Sequence, residues 1–188
     1  MKLITFQYKN EELVGVLTDG GIAPLRAFQD MEALIRLGVP HTLPEERIPL
    51  VKATILAPIP HPTQDVLCLG MNFADHTEEA ARFHPTMLRE EYAVYFSKRV
   101  NEAVPDGGAI ESHSDVTEKV DYEAEVAFIL GMDAYKIPAE MAEEYVFGYT
   151  ILNDVSARDL QTRHKQFYLG KSLDTFTPMG PCIVTADE

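Results

Sequence analysis

The run VDYEAEVAFIL, Val120 to Leu130, alternates with period two along its length. Such alternation fits one extended strand, with Tyr122, Ala124, Val126, Phe128 and Leu130 on one face and Asp121, Glu123, Glu125, Ala127 and Ile129 on the other. The first face is apolar enough to enter a core, and Tyr122 and Phe128 are expected there. The second gathers carboxylates side by side. Like charges held together repel, and burying even a neutral polar group without a partner costs about 2–7 kcal/mol. That end of the strand must therefore face water or hold a positive charge.

The rest of the chain is punctuated in the same short-strand manner. KLITFQY and LVGVLTDGGIAPL read as strands of a small hairpin with a Gly-Gly turn. Residues 27–37 place Phe28, Met31, Leu34 and Ile35 on one helical face, and Gly38 is a plausible stop. The proline-rich ILAPIPHPTQD reads as a stiff linker. This predicts a small N-terminal domain over 1–55, a linker over 56–64 and the main domain over 65–188. The first part is too small for a large core of its own and is expected to pack on the rest. VLCLG, AVYFSK, FGYTILNDV and CIVTADE read as further strands, while 138–145 and ARDLQTRHKQF read as helical. Strands dominate without a regular βαβ series, so the expected class is α+β, mainly β. CIVTADE follows a Gly/Pro turn and would leave a sheet edge unpaired, which is expected of a piece of a longer chain.

Bulk composition narrows the partners. With 46% hydrophobic and 24% charged residues the chain has the profile of a globular protein with a real core. A formal net charge of −14 argues against nucleic acid and anionic membrane surfaces, both of which select Lys/Arg clusters. Cys68 and Cys182 are far apart, without metal-finger spacing, and read as free thiols in a reducing cytoplasm. MKLITFQYKN lacks the apolar core of a signal peptide, so a cytoplasmic location is expected.

A second acidic feature lies in YTILNDVSARD, where an apolar strand ends in Asn153 and Asp154. Glu123, Glu125 and Asp154 could converge as three oxygen ligands. With no Cys or paired His nearby in sequence, hard donors of this kind select Mg²⁺, Mn²⁺ or Ca²⁺.

Four segments, GMNFADHTEEA (70–80), DVTEKVDYEAEVAFILG (115–131), FGYTILNDVSARDLQ (147–161) and GKSLDTFTPMGPCIVTADE (170–188), together resemble the fumarylacetoacetate hydrolase family. The resemblance implies a twisted β-sandwich or roll preceded by a small N-terminal α/β domain, and a homodimer binding Mg²⁺ or Mn²⁺. Family members continue further, through a TGTP-like turn, so the C-terminal part of the catalytic domain is expected to be missing here. By the same resemblance Glu123, Glu125 and Asp154 are the metal ligands, Lys171 neutralises the substrate's carboxylate or enolate oxygen, and His76 with Glu79 activates water. Lys98, Arg158 and Gln161 are candidate substrate contacts. A structural Arg158–Asp159 ion pair is the favoured reading of that arginine. The residues agree where they can be checked: His76 and Glu79 are three positions apart, so one helical turn would join imidazole and carboxylate.

The expected substrate is a small anionic 2-oxo acid. A bound cation would stabilise the enolate left when a C–C bond beside the carbonyl breaks. Hydrolysis of an acylpyruvate, releasing pyruvate, is the leading expectation. Oxaloacetate decarboxylation and isomerisation of a dienoic diacid or a keto–enol pair share the intermediate. A non-catalytic metal- and metabolite-binding subunit is the alternative of another class.

Overall fold

Four consecutive residues of β1 (Lys2–Tyr8), Leu3 to Phe6, are buried, so this strand is covered on both faces. The computed structural model describes residues 1–70 and 92–188. β1 pairs antiparallel along its length with β2 (Glu11–Thr18), which pairs with β3 (Gly21–Pro24). Its other edge is shared: β4 (Thr54–Ile55) takes Phe6 and Gln7, while β11 (Ile183–Thr185) takes Lys2 and Leu3. Beyond β11 come β9 (Val146–Asn153) and β8 (Ala124–Leu130), giving the order β3-β2-β1-β11-β9-β8. Residues from both sides of the proline-rich 56–64 segment therefore share one sheet. β11 has a neighbour on each side, so the unpaired edge expected for CIVTADE is not found there.

The helix Met31–Leu37 starts later than the apolar spacing suggests because Asp30 caps it, its Oδ1 accepting the Ala33 N–H at 2.7 Å. Gly38 ends it as expected, at φ 81°. The buried side of this helix (Met31, Leu34 and Ile35) joins Leu3, Val14, Val16 and Ile183 in one cluster. The N-terminal segment thus packs on the rest through a core that includes the last strand. Two smaller clusters, Ala57–Val100–Ala103–Leu152–Met179 and Val155–Ala157–Leu160–Phe176, underlie the other half.

VDYEAEVAFIL is not one strand. β7 (Val120–Asp121) pairs with β10 (Ser156–Ala157), β8 pairs with β9, and the break falls at Tyr122–Glu123. The chain after β9 bends there: Asn153 offers its side-chain oxygen to the Glu123 N–H at 3.1 Å in place of a ladder bond. Alternation holds along β8, but the faces are the reverse of the expected ones. Ala127 and Ile129 pack inward against the clusters, whereas Val126 and Phe128 are 68% and 60% exposed, and Tyr122 is exposed too. Val126 pairs with the exposed Ile151, and Phe128 with the exposed Tyr149. Apolarity alone ranked the faces wrongly because the inward direction is set by the clusters that meet Ala127 and Ile129, which come from distant segments, and not by the strand's own residues. The remaining pair, β5 (Val66–Gly70) and β6 (Val94–Lys98), forms a two-stranded sheet that delivers Lys98 to the site. Among the described residues no helix is long and apolar enough to cross a membrane.

Candidate functional site

Four elements bring side chains to one place: the end of β6, the break between β7 and β8, the bend after β9, and the short helix Tyr168–Lys171. The bend is fixed by the main chain, since the Asp154 N–H donates to the Glu123 carbonyl at 2.8 Å. Ser156 steadies it from within, its hydroxyl donating to the Asp154 carbonyl at 2.9 Å. The helix end is fixed by close approach. A Cβ on Gly170 would lie 2.7 Å from the Gln161 N and 2.9 Å from the Ala157 carbonyl oxygen, so only glycine lets Lys171 sit this near the helix Arg158–Arg163.

The side chains form a chain of alternating charge. Arg158 holds Asp121 at 2.9 Å and Glu123 at 2.5 Å. Glu123 and Asp154 each approach the Lys171 ammonium at 2.7 Å, and Asp154 turns its other oxygen to the Lys98 ammonium, also at 2.7 Å. Lys98, Lys171 and Asp154 are buried. Every carboxylate oxygen in that sequence from Glu123 to Lys98 faces a cation, which is how a strand carries acids into the interior without leaving them unpaired. Of the three acids expected to converge, Glu123 and Asp154 meet here, on the Lys171 ammonium. The Phe96 ring lies beside Lys171, its centroid 5.2 Å from Nζ.

Electrostatics follow this packing. Burial pulls the Lys98 ammonium below its ordinary pKa, with Asp154 opposing. For Arg158 burial also works downward, but hydrogen bonds and charge from Glu123 and Asp121 outweigh it and hold the guanidinium above its ordinary value. Cys68 lies within the field of the site. Burial, then the charge of Asp154, pushes its thiol up to about 12, and Glu125 adds to the rise.

Other expected site residues fall as follows. Glu125 is half-buried on β8, opposite Leu152, and engaged in an interaction of its own. Gln161 accepts from Arg158 at 3.2 Å. His76 and Glu79 lie outside the described residues. The Arg158–Asp159 pair is not what forms. Adjacent helical residues point apart, and Asp159 instead accepts from the Thr117 hydroxyl at 2.5 Å while Arg158 turns to Asp121 and Glu123. Asp121 was legible only as one more acid on the strand, and its role as the second partner of Arg158 depends on the β7–β10 pairing.

Comparison with known proteins decides the family. The model of the fumarylacetoacetate hydrolase C-terminal domain matches residues 65–188, which hold every one of these side chains. The chain belongs to the fumarylacetoacetate hydrolase family. It is 43% identical over 135 residues to the oxaloacetate tautomerase YisK of Bacillus subtilis, covering 72% of this chain and 44% of that protein. The chain thus spans less than half the length of this curated relative. Among solved structures it is similar to a fumarylacetoacetate hydrolase from Exiguobacterium antarcticum, with TM-score 0.81 and 35% identity over 100% of this chain and 67% of that one. It is also similar to a 5-carboxymethyl-2-hydroxymuconate delta-isomerase from Mycobacterium smegmatis, with TM-score 0.71 and 27% identity over 98% and 67%. The mainly β architecture is that of the fumarylacetoacetate hydrolase fold.

The family generally uses a divalent ion, and the residues fit one in chemistry. Glu123 and Asp154 offer oxygen donors that already converge on positive charge, as a hard cation requires. Among the described residues, no three His, Cys, Asp or Glu side chains are grouped as a ready cage.

Proposed function

We propose that this chain carries the site of a divalent-metal-dependent enzyme that forms and protonates the enolate of a small 2-oxo acid. The observation that carries the reading is the Lys171 ammonium, 2.7 Å from both Glu123 and Asp154. Glu123, Glu125 and Asp154 would hold Mg²⁺ or Mn²⁺. The ion, when bound, supplies Lewis acidity that lowers the cost of negative charge on the substrate oxygens. Among the described residues Lys171 meets two carboxylate acceptors with its three N–H groups, and we assign the third N–H to orienting a substrate oxygen. Arg158 fixes Glu123 from behind and, through Gln161, extends a polar wall along the helix Arg158–Arg163.

Keto–enol interconversion of oxaloacetate is the reading we place first, supported by the similarity to the Bacillus subtilis tautomerase. It asks of the protein only an enolate-stabilising site and a proton carrier. Acylpyruvate hydrolysis stands second, supported by His76 and Glu79, whose spacing suits a water-activating pair. Decarboxylation of oxaloacetate draws on the same enolate. A homodimer in the cytoplasm is proposed with these readings on the family resemblance, and sedimentation would test the dimer.

The deciding experiment follows enol absorbance and pyruvate release side by side, from oxaloacetate and from acetylpyruvate, with and without Mg²⁺ or Mn²⁺. Faster enol decay without pyruvate supports the tautomerase. Metal-dependent pyruvate from acetylpyruvate, abolished in His76→Ala, supports the hydrolase instead. Activity in neither assay would overturn both.

A further inference from the structure

The Lys98 ammonium has three N–H groups and three acceptors: Asp154 Oδ1 at 2.7 Å, the Val155 carbonyl at 3.0 Å and the Lys171 carbonyl at 2.5 Å. The residue is wholly buried. Every donor is used, so none remains for a ligand. Two of the acceptors are main-chain oxygens on separate arms of the site, one beside Asp154 and one belonging to Lys171 itself. A lysine recruited to attract an anion would keep a donor free and its head near water. Lys98 does neither.

We infer that Lys98 is a positioning residue, a three-way clamp that sets the separation of the Asp154 carboxylate from the Lys171 side chain, and not the substrate contact its sequence motif suggests. Without it, three buried acceptors would lose their partner together, and the helix Tyr168–Lys171 would lose its main-chain tie to the bend after β9, keeping only the Lys171–Asp154 ion pair. Misplacement of about 1 Å in such a constellation costs on the order of 100-fold in rate. Lys98 therefore acts on turnover through Asp154 and Lys171, and affinity for the substrate should hardly change. The inference rests on the proposed function only in treating those two residues as working groups.

Lysine ammonium signals of the full chain, read by ¹⁵N NMR, test it in two arms. In the ligand-free protein the Lys98 ammonium should exchange slowly with water and shift on Asp154→Asn; rapid exchange would overturn the clamp whatever the protein binds. Oxalate with Mg²⁺, as a probe with the paired oxygens of a 2-oxo acid enolate, should then move the Lys171 signal and leave that of Lys98 in place. A Lys98 shift equal to or above that of Lys171 would restore it as a ligand contact. If oxalate moves neither, the proposed substrate class is at fault, and the exchange rate still decides the clamp. In Lys98→Met, turnover should fall about 100-fold with KM within about threefold; a rise in KM matching the loss would overturn the inference.

Discussion

The backbone N–H of Asp154 donates to the carbonyl oxygen of Glu123 across 2.8 Å. The spacing of the two carboxylates is therefore a property of the sheet, set where β9 leaves β8 and turns toward β7. Side-chain substitutions here leave that bond in place, so their effects report on charge and contact more than on backbone rearrangement.

Asp154→Asn should be the costlier of the two acid-to-amide changes. Asp154 is 3% exposed and neutralises Lys98, a fully buried cation whose other acceptors are neutral carbonyls. Breaking a buried pair from one side costs about 3–5 kcal/mol. Glu123→Gln should cost less, because Arg158 keeps Asp121 and is partly exposed. Urea unfolding of both variants checks the order, and a larger loss for Glu123→Gln would contradict it.

Metal affinity should separate the same residues from their neighbours. Mn²⁺ titration followed by electron paramagnetic resonance is expected to lose tight binding in Glu123→Gln and in Asp154→Asn. Gln161→Ala, which removes only an acceptor of Arg158, should bind as wild type does. Undiminished affinity in Glu123→Gln would sink the ligand assignment.

Gly170→Ala should disturb Lys171 without touching its side chain. The added methyl meets backbone atoms of Ala157 and Gln161 at under 3 Å, and backbone cannot swing aside as a side-chain tip can. Overpacking of this kind costs about 1–3 kcal/mol. Thermal unfolding should show that loss, with activity falling further than stability alone explains.

The Cys68 thiol should resist modification. Its pKa of about 12, against an ordinary 9.0, leaves about a thousandfold less thiolate at pH 8 than a free cysteine has. Reaction with a disulfide reagent should be slow in the folded protein and fast in guanidinium. The sign of the linkage also follows. The folded state keeps the proton that the unfolded state releases, so this residue's contribution is intact below about pH 9 and lost as pH climbs toward 12. Alkaline unfolding should be less steep in Cys68→Ala.

Much of this was legible in the residues. Strand propensity and turn punctuation located β1, β2, β5, β6 and β9, the resemblance of four ordered motifs picked out Glu123, Glu125, Asp154 and Lys171, and the separate YFSKR segment offered Lys98. What could not be read were relations between distant segments. Periodicity showed that Val126 and Phe128 share a face but not which face the core would take, since that depends on distant residues, the cluster of Leu152 meeting Ala127 and the cluster of Leu3 meeting Ile129. The break at Glu123 was hidden because an acceptor from Asn153, thirty positions away, replaces a ladder bond. Arg158 was given the wrong partner because adjacency in sequence is not adjacency on a helix. The saturation of Lys98 could be seen only once β6 had delivered it between two carbonyls.

The pairing of Leu3 with Ile183 sets a timetable for the nascent chain. A ribosome adding about 5–20 residues per second makes β1 roughly ten seconds or more before the partner for its first residues exists. Until then β2 and, later, β4 shield part of β1, while the cluster around Leu3 waits for Ile183 to close it. The interval in which that apolar seam stands open is when a chaperone, or a neighbouring copy on the same message, has its opportunity.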